Sequence, residues 1–393
     1  LQSHLPNSVS LALLIIILSS LFAFLYGDIQ QMQPPPAPRL AQRTLLSEQP
    51  ELLQRVQSKQ SNRAATKTNA WGVALDEQRG FVWVAEPGCE MSPVCQTAFP
   101  TTIGKYALSD GSLIANYQEP EGIGPSAYSG PLFIQVSPDG DVWFTEPTND
   151  AIAEFDPDEG RFQQWRTSPG SAPYDLVFDT NGNLWFTEIT GNSIGFLNTR
   201  THRMTETPLP IADSRPYGIT LDHQGHIWFA ENRSDEGKIG TFTPTLSGQI
   251  SLKEYTITAS PEARPHLITA DMQNNIWISE GFSGSVARFS PTTGKVTQYP
   301  VALPCRRANN CTHVSGIAAD SQNHIWFTDS LNATVGYLIP ATGKVHAHLI
   351  PDASAHPHDG LIVQSNGTLW FTEQYGEQGF GPALLMWPKG TVR

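Results

Sequence analysis

Four of the eleven histidines fall in three short segments that break an otherwise regular repeat: Arg264-Pro265-His266, His313-Val314-Ser315 and His356-Pro357-His358-Asp359. Two related segments carry tyrosine in the same place, Ala172-Pro173-Tyr174 and Arg215-Pro216-Tyr217. Imidazole takes or gives a proton near neutral pH and readily ligates metals. Tyrosine and arginine supply the hydrogen bonds that orient a substrate. A single loop histidine is more often a hydrogen-bonded structural residue, but several converging on one place, with carboxylates behind them, make a polar pocket. No Ser-His-Asp or Cys-His pairing is readable, so proton transfer is expected rather than a covalent intermediate.

The repeat that these segments interrupt is a block of about fifteen residues found seven times: WGVALDEQRGFVWVAE at 71–86, LFIQVSPDGDVWFTE at 132–146, YDLVFDTNGNLWFTE at 174–188, YGITLDHQGHIWFAE at 217–231, HLITADMQNNIWISE at 266–280, SGIAADSQNHIWFTD at 315–329 and DGLIVQSNGTLWFTE at 359–373. Each block reads as a β-hairpin, an apolar run, a turn of Asp, Asn, Gly or Gln, and a second run centred on tryptophan. Both runs are apolar on successive residues, which means that both sheet faces are buried. Two more strand-like pieces follow most blocks, as in 193–210 and 285–301. Four strands per repeat is propeller-blade spacing. The fold expected is all-β: a seven-bladed β-propeller of four-stranded blades over residues 69–393, its last blade completed by chain from just before Trp71 so that no sheet edge is left open.

In such a blade the first strand starts, and the second ends, at one mouth of the central channel. Each block ends on an acid there: Glu86, Glu146, Glu188, Glu231, Glu280, Asp329 and Glu373. A residue needed in every blade is read as structural, accepting hydrogen bonds from loops or a neighbouring blade. A residue needed once must instead depart from the repeat, and the departures are the histidine and tyrosine segments.

A net charge of -13 and no Lys/Arg cluster with interleaved aromatics argue against a nucleic-acid partner. The stretch 9–26, VSLALLIIILSSLFAFLY, carries no charge and approaches the ~20 residues that cross a bilayer. It is read as a signal or transmembrane helix within residues 1–29, followed by a Gln/Pro-rich tether over 30–68. Two close cysteine pairs, Cys89 with Cys95 and Cys305 with Cys311, read as loop disulfides. Together these place the propeller outside the cytoplasm, periplasmic or extracellular, held to a membrane only through the N-terminal segment. A monomer is expected.

The repeated pattern [Gly-Ile/Leu]-x-x-Asp-x-x-[Gly/Asn]-x-[Ile/Leu]-Trp-Phe-x-Glu resembles that of the virginiamycin B lyase (streptogramin B lyase) family over essentially all of residues 70–393. The resemblance implies a seven-bladed propeller whose lyase members open a cyclic depsipeptide antibiotic without water, using a histidine base and a magnesium ion held by glutamates. The family's last-blade Glu-Pro-His-Gly segment matches His356-Pro357-His358-Asp359-Gly360, which implies His358 as base and His356 and Glu373 as metal ligands. Its Arg-Pro-His substrate segment matches Arg264-Pro265-His266, and Tyr174, Tyr217 and His313 join it as candidate substrate-binding residues. This chain departs from the pattern twice near the implied base: His356 replaces a glutamate, and Asp359 is inserted before the glycine. The Arg-Pro-His segment also lies one blade earlier than the family spacing. The function implied is a metal-assisted carbon-oxygen lyase acting on a small cyclic peptide or lactone. A non-catalytic binding propeller for a peptide, glycan or envelope protein is the alternative. A lactone hydrolase of the gluconolactonase kind would need more carboxylate and amide ligands inside the channel than the strands offer.

Overall fold

The computed structural model describes residues 54–55, 69–88, 101–118, 130–258, 260, 263–304, 312–350, 355–374 and 385–387. They belong to one compact unit spanning 49–306 and 311–393. The expected membrane segment, most of the tether and all four cysteines lie outside the described residues. Among those described, no helix is long and apolar enough to cross a membrane.

The turn of the repeated block is built by its aspartate. Asp179 accepts the backbone N–H groups of Asn181 and Asn183 and the Nε1 of Trp185, at 2.8, 3.0 and 3.0 Å. Asp222 with Trp228, Asp271 with Trp277 and Asp320 with Trp326 repeat the device at 3.0, 2.8 and 3.0 Å. One carboxylate thus satisfies the turn and the indole N–H that burial would otherwise strand. The third residue after each of these aspartates has a left-handed backbone and is glycine or asparagine, Gly182 at φ 77° and Asn274 at φ 57°, the residues that tolerate that region.

The hairpins extend into an all-β propeller of four-stranded blades. Six blades use four consecutive antiparallel strands each, within 73–118, 134–166, 173–208, 216–258, 265–300 and 314–349. One further four-stranded sheet is composite: Pro357–Val363, Leu369–Glu373 and Leu385–Trp387 are completed by Gln54–Arg55, which pairs with Leu385–Trp387. The expectation of a seven-bladed propeller is corrected to six blades of consecutive strands, beside a composite sheet whose outer strand comes from ahead of Trp71. The innermost strands contact one another in sequence order, and Pro357–Val363 contacts Val73–Asp76, so the series of inner strands closes on itself.

Close approach of these inner strands accounts for the glycines of the block. A Cβ on Gly218 would lie 2.7 Å from Cα of Leu267, and one on Gly316 2.8 Å from the carbonyl oxygen of His358. Between blades pack the buried indoles and rings of the second strands, among them Trp185, Phe186, Trp277, Trp326 and Trp370. Burying such side chains contributes about 1.5–3 kcal/mol each, which is why the second run of every block is the least variable part of the repeat.

Candidate functional site at the inner-strand mouth

Most innermost strands enter from the mouth through an x-Pro or x-Val step, the first through Asn69-Ala70. The residue before the step turns its carbonyl to the end of the second strand: Ala172 O accepts from Ile189 N at 3.1 Å, Arg215 O from Asn232 N at 3.1 Å, and His313 O from Ser330 N at 3.0 Å. Ala172, Arg215 and Arg264 take left-handed φ values of 51°, 51° and 38° to do so. The opening residue is then fixed by the neighbouring blade, whose second-strand hydroxyl donates to its carbonyl: Thr145 to Tyr174, Thr187 to Tyr217, Ser279 to Ser315, Thr328 to His358 and Thr372 to Trp71, all at 2.6 Å. Trp71, Tyr174, Tyr217, Ser315 and His358 are therefore equivalent positions in different blades.

The last blade breaks the register. In the third to sixth blades the pairing of the first two strands skips from Pro173 to Leu176, Pro216 to Ile219, Pro265 to Ile268 and Val314 to Ile317; in the last it skips from Pro357 to Leu361. That bulge holds one extra residue, Asp359, and re-aims a side chain as bulges do.

Asp359 is 2% exposed. Its Oδ2 accepts from Trp71 Nε1 at 3.2 Å, Tyr217 OH at 3.4 Å and Tyr174 OH at 3.5 Å. The two tyrosine hydroxyls also hydrogen-bond each other. Its Oδ1 lies 3.1 Å from His266 Nε2 and 3.1 Å from His358 Nδ1. These separations are of hydrogen-bond length, so the one carboxylate oxygen is shared between two imidazoles. The rings stand in close order: Tyr217 and His266 centroids are 3.9 Å apart, His266 and His313 4.8 Å, His313 and His358 5.1 Å, His358 and Trp71 5.0 Å.

Burial disfavours the charge of Asp359, but His358 and His266 outweigh it and hold the carboxyl well below the usual carboxylate range. Burial lowers His266, with Asp359 partly opposing, and lowers His313 much further, helped by His266. Tyr174 and Tyr217 are pushed well above an ordinary phenol by burial and by Asp359. The site therefore holds a carboxylate, imidazoles inclined to stay neutral and two phenols that stay protonated, a set suited to moving a proton.

Of the residues expected from sequence, Tyr174, Tyr217, His266, His313 and His358 are brought together. Arg264 is half-buried with its guanidinium 5.5 Å from the Phe282 ring, which stacks on His313. His356 stacks on His358 at 5.3 Å. Glu373 ends the second strand opposite Pro357. Among the described residues, the group of His, Cys, Asp or Glu side chains close enough to share an ion is His266, His313 and His358, without His356 or Glu373. Three imidazoles beside one carboxylate do not fit magnesium, which takes oxygen ligands.

Asp359, Trp71, Asn232 and Ser330 were not expected as site residues. The inserted Asp359 was visible as a break in the repeat; the others match the repeat or its loops and gave no signal. Three of the acids that end the blocks accept hydrogen bonds within the fold, mostly from side chains. Glu86 accepts from Thr102 and from Tyr106 at 2.8 Å, Glu280 from Ser283 at 3.0 Å and Gln298 at 2.8 Å, and Asp329 from the His313 N–H at 2.9 Å.

The sequence model of the Virginiamycin B lyase family matches residues 118–379. Among solved structures, the chain is similar to virginiamycin B lyase from Staphylococcus aureus, with 26% identity and a TM-score of 0.66 over 82% of this chain and 95% of that one. A catalytically inactive histidine-to-alanine variant of the Staphylococcus aureus enzyme, with quinupristin, matches at 25% identity and TM-score 0.66, over 83% of this chain and 96% of that one. A streptogramin B lyase structure matches at 25% identity and TM-score 0.66, over 83% and 95%. Among curated proteins, none matches the sequence.

Proposed function

Because the chain belongs to the virginiamycin B lyase family, we propose that it is a carbon–oxygen lyase that opens a cyclic ester or depsipeptide by β-elimination at the inner-strand mouth of the propeller. His358 removes a proton from the carbon next to a carbonyl. The electron pair left on that carbon forms a carbon–carbon double bond as the neighbouring carbon–oxygen bond breaks, and the ring ester oxygen departs as a carboxylate. No water is consumed.

The observation that carries this reading is the buried pair of His358 and Asp359, 3.1 Å apart, ringed by protonated hydroxyl donors. Asp359 orients the imidazole and favours the imidazolium that forms on it. Tyr174 and Tyr217, whose hydroxyls are engaged with Asp359 and with each other, line the same mouth as Arg264, His266 and His313. The magnesium implied by the family has no oxygen-rich partner set here, and no step is assigned to it. The exported location read from residues 9–26 belongs to the same proposal: the lyase would meet its substrate outside the cytoplasm.

A second reading, a non-catalytic binding propeller outside the cytoplasm, is favoured by one feature. Oδ2 of Asp359 is already occupied by three donors, as in a structural plug. Full-length protein incubated with quinupristin, followed by mass spectrometry, separates the two. The lyase yields a ring-opened product of unchanged mass, and His358→Ala lowers the rate by about 10²–10⁴-fold. A product heavier by one water, or equal turnover by the variant, overturns the assignment; binding without product favours the second reading.

A further inference from the structure

The two readings above leave unexplained why three imidazoles from three successive blades meet beside the inserted carboxylate. His266 opens the fifth blade, His313 precedes the sixth, and His358 opens the last. One ligand atom from each lies within 4.8 Å of the others. At the same point His266 Nε2 and His358 Nδ1 each lie 3.1 Å from Asp359 Oδ1, in residues 5%, 9% and 2% exposed. Three buried imidazoles beside a buried carboxylate offer a cation both nitrogen donors and a counter-charge.

We propose that His266, His313 and His358 form a binding site for a borderline divalent transition ion of the zinc class, with Asp359 as the fourth ligand. The donor set decides the class. Imidazole suits zinc and its neighbours, while magnesium and calcium require oxygen. Three nitrogens and one carboxylate oxygen make a four-coordinate set, and the ion's charge is partly met by the Asp359 carboxylate. Zinc–nitrogen bonds of about 2.0–2.1 Å place tetrahedral ligands roughly 3.4 Å apart. Binding would require the three rings to draw in from the observed 4.8 Å limit.

The outer partners are consistent with this assignment. His313 Nδ1 lies 3.0 Å from the Ser330 hydroxyl, and His266 Nδ1 lies 3.5 Å from Nδ2 of Asn232, which also donates to the Pro265 carbonyl at 3.0 Å. Each of these rings thus has a partner on Nδ1, of the kind that orients a ligating imidazole. The site does not rest on the lyase reading. The two interact at one point: an ion bound here takes the His358 lone pair, so zinc suppresses proton abstraction instead of assisting it.

The test uses the full-length protein without substrate, so that its failure is separate from failure of the lyase reading. Metal-stripped protein is titrated with zinc and, separately, with cobalt(II), whose visible spectrum reports coordination number. Expected are one zinc retained per chain through gel filtration, intense four-coordinate cobalt bands, and no displacement by a large excess of magnesium. Ser330→Ala, which leaves all four ligands in place, weakens zinc by about 10-fold. His266→Gln with His313→Gln abolishes retention while circular dichroism stays that of the parent. Equal zinc binding by the double variant, equal competition by magnesium, or stimulation of turnover by zinc would overturn the proposal.

Discussion

Asp359 takes Trp71, Tyr174 and Tyr217 on one oxygen and faces His266 and His358 with the other, so its charge is what the surrounding rings are arranged around. Removing one member of a buried charged network leaves the rest uncompensated and costs about 3–5 kcal/mol. Asp359→Ala is therefore expected to lower the unfolding free energy by about 3 kcal/mol in urea titration. Asp359→Asn keeps an acceptor for the indole and phenols and should lose less stability, yet it no longer favours an imidazolium on His358. A drop in kcat with a smaller change in stability is the expected pattern for the asparagine variant. Equal losses of stability in the two variants would mean that the charge has no role beyond its shape.

At the scale of the strand, the site depends on hydroxyls that never touch it. Thr328 Oγ1 donates to the carbonyl of His358 at 2.6 Å and accepts the N–H of Gly316 at 2.9 Å, tying the last blade to the sixth at the bulge. Thr328→Val retains the shape and removes both bonds. It is expected to cost about 1–3 kcal/mol and to lower kcat more than it changes KM, because the His358 backbone loses its anchor. The fourth blade lacks this tie: Ala230 occupies the hydroxyl position beside His266. Ala230→Thr should accordingly alter His266 and leave the hydroxyl ladder elsewhere unaffected, read by histidine NMR shifts.

For the whole molecule, the block-ending acids set a pH dependence. Burial, then the nearby Glu206, raises Glu188 to about 8; burial, then Glu254, raises Glu231 to about 7. In the unfolded chain both titrate near 4.5, so above that pH the unfolded state gives up protons that the folded state retains. Their contribution to stability is complete below about pH 4.5 and is lost as pH rises through the folded values. The melting temperature is expected to fall between about pH 5 and pH 8, and Glu188→Gln should flatten that fall. An unchanged slope in the variant would show that Glu188 is not the group responsible. Asp359, lowered in the fold, acts in the opposite sense, and its contribution is lost only as pH falls through its depressed value.

The amino-acid sequence by itself determined the blade. The bonds that make it are short in sequence, such as Asp179 to Trp185, and the same spacing recurs wherever the block does. It also marked where the repeat breaks, at His266, His313 and His356 to Asp359. Only the tertiary structure decided which of these residues meet. His356 and Glu373, implied as metal ligands, stand outside the cluster that His266 and His313 join, and Trp71 reaches Asp359 across 288 residues of chain. The physical reason is that convergence at the mouth depends on the closure of the inner-strand series and on a single-residue bulge. Neither has a local hydrogen-bond pattern that spacing alone can reveal.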